Sequence, residues 1–396
     1  MSITSFSIAR LPRIEFGAGS FDRLPALIES YGKRILLVTG SGSIDLTPQW
    51  LSLMEWLEQK ALYWQRIRIC NEPSPQNIDS AVSEFRSHDI QVVVGIGGGS
   101  VLDSAKAIAG LLPGGNSVMD YLEGVGPELP YRGPALPYIA VPTTAGTGSE
   151  ATKNAVLSVQ GKDGFKKSFR DDTLVPEYAL VDPDLLASCP KELIAANGMD
   201  ALTQLMESYV STRSNPLTDA LAISGLRSCR DGLLDWYRQE GDTRDARASM
   251  AYASLLSGIT LAQTGLGSVH GLASPLGAFF PIPHGVVCGT LVAAATQVNI
   301  DAMRSRDPGN PALEKYATLG TVLHKRKFRN TEDALHGLVQ LLLEWTDELQ
   351  LPKLAHYGVS DADLDHIIAN SRGSSMKTNP IVLSDAEIGV ILRERI

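Results

Sequence analysis

Up to about residue 185, short runs of β-branched and aliphatic residues alternate with helical patterns along the chain. The apolar runs predict five strands, over residues 35–39, 66–70, 92–96, 138–141 and 179–182. Apolar residues at helical spacing predict helices between them, over residues 51–61, 78–88 and 101–112. Near-continuous apolar strands that alternate with helices are typical of a mostly parallel, doubly wound sheet.

Beyond the break at Val181-Asp182-Pro183, helical periodicity replaces the strand pattern. We expect helices near residues 191–212, 216–239, 244–263, 284–300, 331–348 and 384–394, and loops at 307–311 and 371–380. The predicted fold class is therefore α/β followed by all-α. A doubly wound nucleotide-binding domain is expected over residues 1–186, and a helical domain over residues 187–396.

The composition is that of a globular protein with two domains. The chain has 396 residues, 44% of them hydrophobic and 20% charged, and a single core rarely grows beyond about 250–300 residues. A net charge of −9 without a long basic run argues against nucleic acid or an anionic membrane as the main partner.

Targeting patterns are also missing from the sequence. The N-terminus lacks the charged and apolar blocks of a secretory signal, and no apolar run approaches the roughly 20 residues of a membrane-spanning helix. The four cysteines have no C-x-x-C spacing. They predict free thiols in a reducing compartment, and we expect a cytoplasmic protein.

A glycine-rich turn follows the strand predicted over residues 92–96. The turn Gly97-Gly98-Gly99-Ser100 leads into a helix that carries Asp103 and Lys106. Glycines here let the backbone approach a ligand closely, while free N–H groups and the helix dipole attract an anion. We therefore expect this turn to hold a phosphate group. Because it is neither a P-loop nor a full G-x-G-x-x-G, an ordinary tight turn is the alternative.

A second polar loop, PTTAGTGSE over residues 142–150, follows the strand predicted over residues 138–141. Its hydroxyls and glycines could complete a nucleotide site, because open α/β sheets bind ligands at the carboxyl ends of their strands. A loop capped by its own Ser and Thr side chains is the alternative.

The first predicted strand ends in TGSGS, residues 39–43. NAD sites commonly place an acidic residue near the adenosine ribose, whereas NADP sites leave room for a 2′-phosphate. No acid precedes Asp45 here, and Gly40, Ser41 and Ser43 offer N–H and hydroxyl groups that suit a phosphate. The sequence therefore favours NADP over NAD, and a flexible turn is the alternative.

Two histidines lie in an apolar stretch rich in Gly and Pro, residues 265–285. A buried imidazole needs a partner, because an unpaired buried polar group costs about 1–3 kcal/mol. Asp200, on a predicted helix with Gln204 one turn later, could join His270 and His284. One Asp and two His suit a divalent transition metal with an open coordination position. The alternatives are histidines bonded to backbone carbonyls and an Asp that caps its helix.

Taken together, these motifs resemble the iron-containing (group III) alcohol dehydrogenases. The resemblance rests on GGGS-x-x-D-x-x-K over 97–106, PTTAGTGSE over 142–150, Asp200-Ala201-Leu202-Thr203, and His270 followed by Pro275-Leu276-Gly277 and Pro283-His284-Gly285. It extends from Phe16-Gly17-Ala18-Gly19 to Thr378-Asn379-Pro380 and so covers nearly the whole chain. It implies a dehydroquinate synthase-like architecture with a metal between two domains, in a homodimer or larger homo-oligomer.

The resemblance also implies roles for particular residues. It assigns the pyrophosphate of the cofactor to Gly97, Gly98, Gly99 and Ser100, with Asp103 beside it. Thr143, Thr144 and Thr147 would line the cofactor, and Lys166 would lie near the nicotinamide ribose. Asp200, His270 and His284 would hold one divalent metal, iron or zinc.

At two positions the sequence departs from the family pattern. Gln204 stands where the family has a further His ligand, and an amide oxygen is a weaker ligand than imidazole for a transition metal. Gln204 is thus a weak fourth ligand at most, which argues against iron, while glycerol dehydrogenases in this family manage with Asp and two His around zinc. Ser274 stands where the family often has a His associated with proton transfer.

The sequence therefore predicts a metal-dependent oxidoreductase that transfers a hydride between NADP or NAD and a small alcohol, aldehyde or ketone. Gln204 and Ser274 motivate one alternative, a degenerate member that binds nucleotide without alcohol dehydrogenase activity. A dehydroquinate synthase-like lyase is another. Such a cyclase needs basic residues near the metal, whereas residues 200–211 and 265–277 are almost free of Lys and Arg.

Overall fold

The structure, a computed structural model, describes residues 5–396, which divide into two units. The α/β unit consists of Ala9–Val159 and Lys166–Cys189. The helical unit consists of residues 5–8, Gln160–Phe165 and Pro190–Ile396. The short segment Gln160–Phe165 belongs to the helical unit although it precedes residue 187. The domain boundary expected between residues 186 and 187 stays a prediction.

Eight strands and four α-helices precede Pro190 among the described residues. The strands are β1 (Arg13–Phe16), β2 (Arg34–Thr39), β3 (Tyr63–Arg68), β4 (Val92–Gly97), β5 (Tyr138–Pro142), β6 (Asn154–Val159), β7 (Phe165–Arg170) and β8 (Tyr178–Val181). The helices are α1 (Leu24–Tyr31), α2 (Pro48–Gln59), α3 (Pro75–Phe85) and α4 (Gly99–Leu111). Six of the strands form one parallel sheet in the order β1-β8-β5-β4-β2-β3, and β6 pairs with β7.

The five predicted strands are present as β2, β3, β4, β5 and β8. The central strands β4 and β5 are buried along their whole length, which explains their near-continuous apolar sequences. Strand β3 lies at the edge of the sheet and is only half-buried. It spans Tyr63–Arg68 instead of residues 66–70, because a half-buried edge strand carries no continuous apolar run. Strands β1, β6 and β7 were not predicted: β1 is largely exposed at the edge of the sheet, and β6 and β7 pair only with each other.

The order of the strands reverses at β2 and β4. From β2 the chain moves to one side of the sheet for β3, then to the other side for β4 and β5. Strand β2 ends at Thr39, which is in register with Ile96 of β4. Strand β4 ends at Gly97, which is in register with Pro142 of β5. Open α/β sheets bind ligands at such a point of reversal, so the fold directs attention to the two turns that follow β2 and β4.

Nine α-helices follow Pro190 in the part of the chain that the structure describes. They are α5 (Lys191–Val210), α6 (Pro216–Arg238), α7 (Arg244–Thr264), α8 (Ser268–Phe279), α9 (His284–Arg306), α10 (Pro311–His324), α11 (Thr331–Glu348), α12 (Leu364–Asn370) and α13 (Asp385–Arg393). The predicted fold class, a parallel α/β portion followed by helices, is confirmed.

The six helices predicted in this half correspond to α5, α6, α7, α9, α11 and α13, while α8, α10 and α12 were missed. Helix α8 contains Pro275 together with Gly271 and Gly277, which disfavour a helix locally, and it forms because its residues are buried in the core. The loop expected over 307–311 ends one residue earlier. Pro311 begins α10, at a helix start where proline is favoured.

Helix α9 is long and apolar enough to cross a membrane by length and composition, the one such helix among residues 5–396. The sequence analysis expected none, because it ended this helix near residue 300. Within the helix, 89% of the apolar window is buried inside the protein. Cys288, Leu291 and Ala295 of α9 belong to a core cluster with Leu272 and Leu276 of α8. The apolar composition of α9 is therefore that of a core helix.

Candidate functional site

Three helices of the helical unit bring Asp200, His270 and His284 together. Asp200 lies on α5, His270 on α8, and His284 is the first residue of α9. The Nε2 atom of His270 lies 3.3 Å from Oδ1 of Asp200, and Nε2 of His284 lies 3.7 Å from the same oxygen. The Asp200 side chain is fully buried, whereas that of His284 is 26% exposed. The geometry thus assembles one carboxylate and two imidazoles around one point.

Cys288 contributes a fourth donor atom to this group. It follows His284 by one turn of α9, and its Sγ lies 3.5 Å from Nε2 of His270 and 3.8 Å from Nε2 of His284. The donor atoms of Asp200, His270, His284 and Cys288 all lie within 4.8 Å of one another. The sequence analysis counted Cys288 among the scattered thiols. The i, i+4 spacing from His284 was the available sign that both side chains share a helix face.

Gln204 presents its amide nitrogen, not its oxygen, to the cluster. Its Nε2 donates to Oδ1 of Asp200 at 3.2 Å, and its Oε1 accepts a hydrogen bond from Ser257 at 2.9 Å. An amide nitrogen that donates a hydrogen bond has no lone pair for a metal. The role of Gln204 as a weak fourth ligand stays a prediction, and in this arrangement Cys288 faces the other donors instead.

Glu207 orients His270 from the side opposite Asp200. It lies on α5, and its Oε2 is 2.7 Å from Nδ1 of His270 while its Oε1 accepts the backbone N–H of Val269 at 2.7 Å. A carboxylate at Nδ1 holds the proton there and turns Nε2 towards Asp200, the arrangement common for metal-bound histidines. The sequence analysis missed Glu207, although its position two helical turns after Asp200 placed both on one face of α5.

One residue of this group, Asp200, is an ionised carboxylate that attracts a cation. Burial raises the pKa of Asp200, but His284 and His270 lower it to about 2, so the carboxylate is ionised. Burial lowers the pKa of His270, yet Cys288, Glu207 and Asp200 together raise it well above its usual value. Burial raises the pKa of the Cys288 thiol to about 12. The buried Oδ2 of Asp200 has no hydrogen-bond partner, and a cation would supply one. These residues therefore fit a divalent metal.

In the α/β unit, the two polar loops predicted separately come together. Gly97 ends β4, Gly98 caps α4 and Gly99 begins it, and the N–H of Thr143 donates to the carbonyl of Gly97 at 3.0 Å. An added Cβ on Gly98 would lie 3.2 Å from Oγ1 of Thr144. The turn and the second loop thus form one surface at the N-terminus of α4. Only glycines let a ligand approach the backbone closely there, because side chains on the turn would collide with the loop. Such a cradle fits the pyrophosphate of a dinucleotide.

Ser100 of α4 and Thr147 of the second loop flank the same turn. Ser100 follows Gly99 in α4, and Thr147 is so close to Gly99 that an added Cβ there would lie 2.9 Å from its Oγ1. Their contacts with the cofactor, like those of Thr143 and Thr144, stay predictions.

Asp103 anchors the second loop to α4. Its Oδ1 accepts a hydrogen bond from Ser149 at 2.5 Å, and its Oδ2 accepts the N–H of Val156 at 3.1 Å. The buried ammonium of Lys106 donates to the carbonyl of Ser149 and to Oγ1 of Thr152, both at 2.9 Å. Burial raises the pKa of Asp103 although Lys106 opposes it, and burial lowers the pKa of Lys106 to about 8. The predicted position of Asp103 beside the pyrophosphate is untested, whereas its contacts hold the loop in place.

The turn after β2 lies next to two arginines. Gly40, Ser41 and Ser43 follow Thr39, and Thr39 is in register with Arg68 of the neighbouring strand β3. Asp45, the first acid after the turn, forms ion pairs with Arg66 at 2.5 Å and with Arg68 at 2.9 Å. The sequence analysis did not identify these arginines, because their proximity arises from the pairing of β2 with β3.

Lys166 lies in β7 with its ammonium 2.8 Å from Oε1 of Glu72. Its side chain is 10% exposed. Its expected position near the nicotinamide ribose stays a prediction.

Comparisons with known proteins identify the family of the chain. The model of the family "Iron-containing alcohol dehydrogenase" matches residues 12–183, and that of "Fe-containing alcohol dehydrogenase family, C-terminal" matches residues 194–396.

Two yeast proteins are similar over nearly the whole chain. Alcohol dehydrogenase 4 of Saccharomyces cerevisiae is 31% identical, over 99% of this chain and 98% of its own. Alcohol dehydrogenase 4 of Schizosaccharomyces pombe is 34% identical, over 96% and 86%. Among solved structures, a 1,3-propanediol oxidoreductase superposes with a TM-score of 0.88 at 27% identity, covering 99% of this chain and 100% of that one.

Proposed function

The chain belongs to the iron-containing alcohol dehydrogenase family, and we propose that it transfers a hydride between NADP, in preference to NAD, and a small alcohol, aldehyde or ketone. The family uses NAD(P) and iron or another divalent metal, and acts on small-molecule alcohols or aldehydes. The observation that carries the proposal is the convergence of Asp200, His270 and His284, whose donor atoms lie within 4.8 Å of one another.

These three residues are proposed to hold the metal. A metal held by these residues would act as a Lewis acid that polarises the C–O bond of the substrate. Asp200 contributes an ionised, buried carboxylate with one oxygen free of hydrogen bonds. Glu207 keeps the Nδ1 proton of His270 in place, so that Nε2 is the donor that faces Asp200. The part of His284 that is exposed leaves one side of the group accessible.

The turn from Gly97 to Ser100 and the loop with Thr143, Thr144 and Thr147 are proposed to bind the dinucleotide. The hydride chemistry itself belongs to the nicotinamide ring. The backbone N–H groups at the N-terminus of α4 attract the pyrophosphate, and the glycines let it approach. Asp103 and Lys106 keep the loop against α4 through Ser149, and so preserve the shape of this cradle.

The preference for NADP is supported by the surroundings of the turn at Gly40, Ser41 and Ser43. NAD sites commonly place a carboxylate at the ribose hydroxyls, but Asp45, the first acid after the turn, is already paired with Arg66 and Arg68. A 2′-phosphate is an anion that guanidinium groups bind well. The two arginines beside this turn therefore favour the phosphorylated cofactor.

Elemental analysis and turnover assays test the proposal together. The purified protein should hold about one divalent metal per chain and oxidise or reduce small alcohols and aldehydes faster with NADP(H) than with NAD(H). Asp200→Ala and His270→Ala should lose both metal and turnover, whereas His356→Ala, at an exposed histidine, should keep both. Stoichiometric metal in the first two variants would remove the assignment of the centre, and faster turnover with NAD(H) would remove the cofactor preference.

We further propose a homodimer or larger assembly in the cytoplasm. Strand β1 lies at the edge of the sheet, and its Ile14 and Phe16 are 38% and 41% exposed, which favours a covering partner. All four cysteines are free, as expected in a reducing compartment. Light scattering coupled to size-exclusion chromatography should give at least twice the mass of 42.5 kDa, and a monomer would contradict the assembly.

A further inference from the structure

We propose that the thiolate of Cys288 is the fourth protein ligand of the metal, in place of Gln204, and that this ligand set selects zinc over iron. The inference rests on the proposed function, since it presupposes a metal held by Asp200, His270 and His284. It concerns the identity of the remaining ligand and, through it, the identity of the metal.

Four of the six distances between the donor atoms are close to those of a tetrahedral zinc centre. With zinc bonds of about 2.0–2.1 Å to N or O and about 2.3 Å to S, a tetrahedron places N and O about 3.3 Å apart, and N and S about 3.5 Å apart. The Asp200–His270 pair lies at 3.3 Å and the His270–Cys288 pair at 3.5 Å. The pairs that involve His284 are 3.7 Å and 3.8 Å, within a few tenths of the same values.

The alternative fourth ligand is turned away. Ser257 donates to Oε1 of Gln204 at 2.9 Å, and the Nε2 of Gln204 donates to Asp200 at 3.2 Å. To bring its oxygen to the metal, Gln204 would have to reverse its amide, give up its hydrogen bond to Asp200 and exchange the hydrogen bond that it accepts from Ser257. Gln204 is buried, so the loss of its bond to Asp200 would not be compensated by water. Gln204 is therefore better suited to supporting Asp200 than to ligation.

The surroundings of Cys288 point the same way. The residue is fully buried in the core cluster of α8 and α9, yet its sulfur faces two imidazoles and not the apolar side chains alone. A second, independent observation is Oδ2 of Asp200, which is buried in the same group and has no hydrogen-bond partner. A cysteine that only filled the core would need neither the two neighbouring imidazoles nor the unpartnered carboxylate oxygen of Asp200 beside it.

Ligand softness then decides between metals. Thiolate is a soft ligand that suits zinc, which binds S, N and O donors alike, whereas non-haem iron(II) sites are usually built from histidine and carboxylate. Zinc can expand to five ligands during catalysis, and the His284 side chain is 26% exposed, so the group of donors is not fully enclosed. Four protein ligands are thus compatible with an enzyme.

Cobalt(II) substitution tests the inference, because a thiolate bound to Co²⁺ gives an intense near-ultraviolet charge-transfer band that imidazole and carboxylate do not. The metal-depleted full-length protein would be titrated with Co²⁺ alone. Wild-type protein and Cys229→Ser, a control at another fully buried cysteine, should both show the band. Cys288→Ser should lack it and bind Co²⁺ more weakly, by at least the roughly 10–100-fold that loss of an outer-sphere partner costs.

Competition between metals is the second measurement. Wild-type protein dialysed anaerobically against equal Zn²⁺ and Fe²⁺ should retain zinc. The double variant Gln204→His with Cys288→Ser exchanges the sulfur for a third imidazole and should retain a larger share of iron. Circular dichroism shows whether each variant is folded. If Cys288→Ser alone is unfolded, the double variant provides the readout.

The outcomes separate this inference from the proposed function. A Co²⁺ complex that needs Asp200 and His270 but shows no thiolate band overturns the role of Cys288 and leaves the proposed centre intact. A band that persists in folded Cys288→Ser also overturns it. Wild-type protein that binds neither Co²⁺ nor Zn²⁺ overturns both. A thiolate band in the wild type with iron retained in preference to zinc would contradict the metal selection alone.

Discussion

Glu207 and His270 form a buried pair in which Oε2 of Glu207 lies 2.7 Å from Nδ1 of His270. The same helix, α5, carries Asp200, whose Oδ1 lies 3.3 Å from the other ring nitrogen of His270. One helix therefore supplies both a candidate ligand and the carboxylate that sets the tautomer and orientation of a second candidate ligand. The imidazole is held from both sides before any metal binds, which lowers the cost of assembling the site.

Replacing Glu207 should weaken metal binding without removing a ligand. In Glu207→Gln, one oxygen must serve both His270 and the backbone N–H of Val269. We expect metal affinity to fall roughly 10–100-fold, as for other partners of metal-bound histidines, and Glu207→Ala to lose more. Competition with a chromogenic chelator measures this directly. Glu344→Gln, exposed on α11, is the matched control, and equal affinities of all variants would show that Glu207 has no positioning role.

A methyl group at the triple-glycine turn should impair cofactor binding. The Cβ of Gly99→Ala would lie 2.9 Å from Thr147, so the second loop must shift. We expect the Kd for NADPH to rise about 10-fold, equivalent to about 1.4 kcal/mol. Nicotinamide fluorescence titration gives the Kd. Gly114→Ala adds the same methyl where no atom lies within 4 Å and should bind as the wild type does. Unchanged binding by Gly99→Ala would place the dinucleotide elsewhere.

Cofactor preference should depend on the arginine beside the turn after β2. Arg68 is 53% exposed and shares Asp45 with Arg66, so it can turn to a 2′-phosphate at small cost. Arg68→Ala should raise the Kd for NADPH about 10-fold, in the range of one charge-assisted hydrogen bond, and leave that for NADH nearly unchanged. Arg132→Ala, at an exposed position, should alter neither. A loss of the same size for both cofactors would contradict a contact with the 2′-phosphate.

The stability of the α/β unit should fall as the pH rises through the titration of Glu150. Burial raises the pKa of this carboxyl from 4.5 to about 7, although Lys106 opposes the shift. Because the folded state holds the proton more tightly, the stabilisation is fully present below pH 4.5 and is lost as the pH rises through about 7. Between these values, wild-type protein should lose up to roughly 3 kcal/mol relative to Glu150→Gln.

Urea unfolding at pH 4.5, 6 and 8 measures this difference. The control is Glu84→Gln, an exposed position on α3, whose unfolding free energy should follow that of the wild type at every pH. Parallel profiles for wild type and Glu150→Gln would mean that Glu150 titrates as it does in an unfolded chain.

Local sequence was sufficient where burial is continuous or helical periodicity is long. Strands β4 and β5 are buried throughout, so their apolar runs predicted them. It was insufficient where tertiary packing overrides local preference. Helix α8 forms despite Pro275 because its residues fill a core between other helices. The largely exposed edge strand β1 was not predicted, and the half-buried edge strand β3 was predicted with shifted bounds.

The site shows the same division. The sequence by itself determined the family, the α/β and helical halves, the glycine-rich turn and the choice of Asp200, His270 and His284, because these depend on residue types in a particular order. Only the tertiary structure decided that Cys288 faces both histidines, that Glu207 orients His270 and that Gln204 is turned towards Ser257. These relationships join side chains on helices far apart along the chain. Their distances depend on how the helices pack and on which hydrogen bonds each buried group must satisfy, and no local pattern encodes that.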